Sequence, residues 1–174
     1  SDVVVTMVVT NKATAQDAVS PTVTAQISSA LSDGSITSSA MVKPGTDLIG
    51  VTGGLDPLKT VVPTFTTKSI QQSSPLNGVL NTLTITLVTD VDLAATSTVT
   101  IAGLTGTQTA DAASLAITST SSLLGTTAGW TKDSGTLVLT VGGTATTAGS
   151  DVVVTMVVTN KATAQDAVSP TVTA

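Results

Sequence analysis

The sequence contains no histidine, cysteine, tyrosine, arginine or glutamate, one tryptophan and one phenylalanine. Every formal charge among its 174 residues is therefore one of six lysines or eleven aspartates, for a net charge of −5. This inventory lacks the imidazole base, the thiolate nucleophile, the guanidinium fork that grips phosphate and most transition-metal ligands. The chain is read as a non-enzyme, with no catalytic residue and no cofactor. An acidic chain without arginine and almost without aromatic rings also lacks the basic stripe and stacking platforms that nucleic acid requires. The absence of cysteine excludes a disulfide framework but leaves the redox compartment open. Long apolar runs are missing too: the longest, Val3 to Val9, is interrupted by Thr6 and falls far short of the roughly 20 residues of a spanning helix, so no membrane insertion is expected. No basic stretch followed by an apolar leader is visible from Ser1. With 41% hydrophobic and 10% charged residues, the expectation is a folded, soluble chain with one real core.

What is present is, first, a repeat. Residues 1–25, SDVVVTMVVTNKATAQDAVSPTVTA, recur unchanged as residues 150–174, an offset of 149 residues. Solenoid repeats run at roughly 20 to 50 residues, so a period this long implies whole domains strung as beads. The chain is read as a little over one period of a longer tandem array.

Second, serine and threonine make up about a third of the residues, and valine, isoleucine and threonine crowd into short alternating runs, as half-buried strands require. In the run around Thr82–Thr89, Leu83, Ile85 and Leu87 fall on one face and Thr82, Thr84 and Thr86 on the other. The same parity sends Val99, Ile101, Leu115, Ile117, Leu137, Leu139 and Val141 toward a core, and Trp130 is read as its plug rather than as a sugar platform. Val3, Val5, Met7 and Val9 form one apolar face, repeated as Val152, Val154, Met156 and Val158. Val23, Ala25 and Ile27, with Ile36, Ala40 and Val42, supply a further pair of strands joined by the turn-like Ser32-Asp33-Gly34-Ser35. Turn residues recur between these runs, and strands every ten to fifteen residues or so suit an all-β sandwich. Pro63 places its run at a sheet edge or a bulge; Ala110 to Ala113 could form one helical turn. The phase of the strands divides the chain into 1–42, closing strands of a preceding unit or strands completing a neighbour; 43–57, a linker; and 58–174, a sandwich unit lacking its last hairpin.

The run Asn81 to Gly106, with Ser122 to Val141 and SDVVVTMVVTNKATAQ at the start, resembles the long threonine-rich tandem repeats of very large surface proteins of unicellular algae and related protists. The likeness covers nearly the whole chain and includes the period, but contains no catalytic motif. The order of a strand, Leu93-Ala94-Ala95 and Ser97 to Ile101 resembles, more loosely, the immunoglobulin-like sandwiches of microbial adhesins. These likenesses imply an immunoglobulin-like antiparallel β-sandwich, an extracellular or cell-surface location, and a structural repeat of a filament or fibre. Its partners would be copies of itself, stacked end to end with strand complementation. The alternative is an adhesin repeat that binds a glycan or a surface protein.

Few constellations could carry chemistry. Asp90 and Asp92 follow a strand two residues apart and are the only metal candidates, weak ones, since calcium wants six to eight oxygens and a strand-end turn explains them equally. The glycines of Gly50 to Gly54 and Gly103 to Gly106 lack the following helix and Lys-Ser/Thr of a phosphate loop and read as turns. No asparagine begins an N-glycosylation signal, whereas the outward threonine and serine faces offer hydroxyls for O-linked glycans, or are simply good strand surface. The assembly strand is Val3, Val5, Met7 and Val9: donated to a neighbour's sheet, or contained once per period in a covalent chain.

Overall fold

Strands form where aliphatic and hydroxyl side chains alternate, in a computed structural model that describes residues 2–174, the side chain of Ser121 excepted. The chain divides into two compact units, Ser1–Pro63 and Thr64–Ala174. Strands are numbered in chain order across both.

The first unit has one hairpin, β1 (Thr22–Ile27) with β2 (Gly34–Ala40), antiparallel and irregular between Val23 and Ala25. The strand pair expected from the sequence is there, and its Val23, Ile27 and Ile36, with Val42 beyond it, are exposed. A two-stranded hairpin has no second layer to cover an apolar face. Residues 43–57 are held by tight turns. Leu48 and Val51 bond each other's backbone, the Asp47 carboxylate accepts from the Gly53 N–H at 2.8 Å and the Asp56 carboxylate from the Gly45 N–H at 2.7 Å. Gln16 pairs with Thr60 through both backbone groups, at 2.9 and 3.0 Å.

The second unit contains β3 (Phe65–Gln72), β4 (Leu80–Thr89), β5 (Thr98–Ala102), β6 (Ala112–Ser119), β7 (Thr127–Thr131), β8 (Thr136–Thr140), β9 (Val152–Thr159) and β10 (Thr171–Thr173). They are hydrogen-bonded in the order β10-β5-β8-β7-β6-β9-β4-β3, antiparallel throughout. One strand joins two layers. The first half of β6 pairs with β7 (Leu115 opposite Ala128), while its second half pairs with β9 (Ile117 opposite Met156). A strand that changes partner midway folds the ladder over, giving an all-β sandwich close to a barrel. The Ala110–Ala113 stretch opens this strand rather than a helical turn, because Ala112 pairs with Trp130 across the ladder.

The core follows the parity of the strands. Leu83, Ile85, Leu87, Val99, Ile101, Ile117, Trp130, Leu137, Leu139 and Val141 are all buried in one cluster, with Val152, Val154, Met156 and Val158 of β9. Thr82, Thr84 and Thr86, on the opposite face of β4, are half-buried. The Trp130 indole N–H donates to the Thr109 carbonyl at 3.1 Å, so the single large ring fills the core without stranding its polar atom. β3 is an edge strand with a register shift between Phe65 and Thr67, and Pro63 stands just outside its ladder. Gly135, in the turn between β7 and β8, has φ +60°, and a Cβ there would lie 2.3 Å from the Leu104 backbone. Only glycine lets that turn approach closely enough for the Leu104 N–H to reach the Gly135 carbonyl at 2.9 Å.

Candidate functional site

Two identical segments have opposite surroundings. Val152, Val154, Met156 and Val158 are 5, 0, 1 and 2% exposed, whereas Val3, Val5, Met7 and Val9 are 88, 80, 76 and 53% exposed. β9 is central, with β4 on one edge and β6 on the other. Leu83 faces Met156, Ile85 faces Val154 and Leu87 faces Val152 across β4, and Ile117 faces Met156 across β6. Residues 3–10 belong to no strand. Farther along, the copies bond differently: the Gln16 amide donates to the Leu58 carbonyl at 2.9 Å, the Gln165 amide to the Thr105 carbonyl at 3.2 Å. Thr22, where β1 begins, corresponds to Thr171, where β10 begins, so both copies start a strand at the same residue.

A pocket of about 470 Å³ opens at one end of the second unit, lined by Gln71, Gln72, Asn77, Asn81, Thr107, Asn160, Lys161 and Gln165 among others. Asn81 organises its floor. Its side-chain oxygen accepts from the Ser73 and Ser74 backbone N–H groups at 3.0 and 3.1 Å, and its amide donates to Gln72 Oε1 and Asn160 Oδ1, both at 2.9 Å. Asn160 in turn donates to the carbonyls of Ser74 at 3.0 Å and Leu76 at 2.7 Å. The turn between β3 and β4 is thereby tied to the end of β9. Sequence reasoning missed both asparagines, although parity held the signal: 81 is in phase with 83, 85 and 87, and 160 with 154, 156 and 158. The Thr107 hydroxyl, also lining the pocket, is a buried oxygen without a hydrogen-bond partner. Amides and hydroxyls can orient a polar ligand by hydrogen bonds, but they supply neither a nucleophile nor a proton carrier.

The two candidate metal carboxylates are not brought together. Asp90 accepts from the Thr64 N–H at 2.7 Å and the Thr64 hydroxyl at 2.8 Å, and Asp92 accepts from the Ala148 N–H at 2.8 Å. Each fastens a different stretch of chain to the end of β4. The Thr64 N–H, as the main cause, holds the Asp90 carboxyl below its ordinary value; slight burial opposes this, and the Thr64 hydroxyl adds to it. Among the described residues no three carboxylates cluster as metal ligands, and none of the helices is long and apolar enough to cross a membrane. Gly53 and Gly54 lie within the tight turns of the first unit, and Gly103 and Gly106 take φ of +92° and +89° in the loop after β5; no helix follows either pair.

Comparison with known proteins adds no relative: no family model, no curated protein and no solved structure matches the chain.

Proposed function

We propose that the chain is a structural repeat unit of an extracellular filament or cell-surface fibre, built from β-sandwich beads that stack end to end and complement one another's strands. The observation that carries this reading is the exact duplication of residues 1–25 at 150–174, with one copy built into a sandwich and the other lying exposed. The lack of catalytic side chains agrees with a mechanical role, as does the resemblance to threonine-rich surface repeats and to immunoglobulin-like adhesin sandwiches. The immunoglobulin-like assignment, the surface location and O-linked glycans on outward threonines belong to the same proposal. Denaturing mass spectrometry of protein from its natural source tests it. A very high-mass chain, or one bearing hexose increments, is expected; a population near the 17.1 kDa of this sequence overturns the covalent array.

The amide-lined pocket favours a second reading, an adhesin repeat that recognises a glycan or a surface protein, because neutral amides are good partners for sugar hydroxyls. A glycan array probed with the chain separates the two. Specific binding that is lost in Gln165→Ala while the fold persists would establish recognition.

A further inference from the structure

We infer that residues 3–10 are the β9 strand of another copy of this chain: they fill the slot between β4 and β6 in the sandwich formed by residues 64–149 of the copy that precedes this one in a tandem polypeptide. The inference rests on the repeat reading above and names the partner, the slot and the register.

The slot is already seen occupied by these side chains. Val152–Thr159 and residues 3–10 are identical, so a sandwich that accepts one accepts the other with no change of shape, volume or hydrogen-bonding capacity. Transposed by the period, the pairing places Val3 opposite Leu87, Val5 opposite Ile85 and Met7 opposite Leu83 of the preceding copy, with Ile117 across Met7 on the other edge. Asn11 takes the place of Asn160 and meets Asn81 of that copy, closing the same amide network. Four large apolar side chains that stand in water here thereby gain the cover their duplicates have, and the unpaired backbone of residues 3–10 gains two ladders. Exposed apolar strand sequence of this length otherwise invites pairing with like segments, the cross-β alternative.

Two variants of the full chain test it, with size and the emission of buried Trp130 as readouts. The unaltered chain stays monomeric at micromolar concentration, because its tethered β9 has an effective concentration of about millimolar. In V154D/M156D the chain's own β9 is spoiled, and residues 3–10 of another copy enter instead. The mass at least doubles while Trp130 emission stays blue, and adding V5D/M7D returns a monomer with red-shifted emission. A folded monomer, an unfolded monomer, or oligomers that survive V5D/M7D would overturn the inference, the last by showing cross-β or other pairing. A two-period chain, residues 1–149 followed by 1–174, gives a test without exchange. Aspartates at positions 5 and 7 of both periods, which leave no free intact segment to exchange, should red-shift about half of the Trp130 emission, since only the first bead loses its β9 and distant sites act independently. Emission that stays wholly blue overturns the inference. These results are independent of the fibre reading, which stands or falls on the mass of the native chain.

Discussion

Residues 2–10 and 151–159 share every atom of their covalent structure and differ in everything else. One is the central strand of a sandwich, the other an exposed segment without strand partners. A run of valines broken by threonine and methionine has high strand preference, yet that preference is realised only where β4 and β6 supply a ladder on each side and a core beneath. Strand propensity measures how well side chains fit a half-buried pleated surface, and residues 3–10 pair with no strand. The β1–β2 hairpin teaches the same in weaker form: it has a ladder on one side and no layer beneath it, so its valine and isoleucines stay exposed.

The comparison is broken most sharply by placing the same charge in each copy. Val154→Asp loses the burial of a valine, about 1.5 to 3 kcal/mol, and must leave a charge in the core, costing several more. A destabilisation of about 5 kcal/mol or more is expected, comparable to the whole stability of a typical domain. Val5→Asp should shift the unfolding of the second unit by less than about 0.5 kcal/mol. Urea titration followed by Trp130 fluorescence checks both, at a protein concentration low enough that copies do not exchange strands. Equal effects would mean that residues 3–10 already pack on the sandwich within one chain.

Next in size is the asparagine pair at the strand end. Asn160→Ala removes two donated bonds and leaves the Asn81 amide with only Gln72. Unmaking buried polar contacts of this kind costs about 1 to 3 kcal/mol. Asn11→Ala, at an exposed position, should be neutral by the same titration. A loss in Asn11→Ala approaching that of Asn160→Ala would contradict the difference in their surroundings.

Much of the second unit was legible because its information is local. Parity alone placed Leu83, Ile85, Leu87, Leu137 and Leu139 inside, and all five are buried. Trp130 was placed as core because one large ring has nowhere else to go in a chain so poor in aromatics. What was not legible is non-local. The change of partner within β6 leaves no mark on its sequence, since Leu115 and Ile117 keep the same parity across it. The strands β1 and β2 were legible as a pair, but their exposure was not, since an apolar face is buried only if another layer meets it. Asn81 and Asn160 sit on inward phases, yet their partners, Ser73, Ser74 and Leu76, come from a turn whose path no periodicity predicts. For the duplicated segment, local reading is powerless by construction, because the two copies are the same string.

A smaller effect can sharpen the comparison from the side of the first unit. Ile49 and Gly50 connect Leu48 to Val51 with φ of 48° and 75°, the left-handed pair of a tight hairpin turn that favours Asn-Gly. A β-branched residue there carries about 1 to 2 kcal/mol of strain. Ile49→Asn should recover about 1 kcal/mol, slowing hydrogen exchange of the Leu48 and Val51 amides about fivefold. The amides of residues 3–10 should exchange as fast as before. If they slow as well, their exposure stems from looseness in the first unit rather than from a missing ladder.

The smallest effect concerns where the covered region begins. Thr64 is the first residue of the second unit, and its N–H and hydroxyl both bind the exposed Asp90 carboxylate at the end of β4. Because the Thr64 N–H, above all, lowers the Asp90 pKa on folding, the unfolded chain, near about 3.9, binds the proton more readily than the folded one. The tie therefore contributes fully above that value and is lost as the pH falls through the folded-state pKa. Solvent screening at an exposed carboxylate keeps the contribution under about 1 kcal/mol. Asp90→Asn removes the titrating group, so urea midpoints measured from about pH 5 to about pH 2 should fall less steeply in the variant than in the parent. The difference should appear only below about pH 4, where the unfolded carboxyl takes up its proton. Parallel curves would show that the Thr64 contact does not fasten the start of the sandwich, and the division between exposed and covered chain would then lie farther along β3.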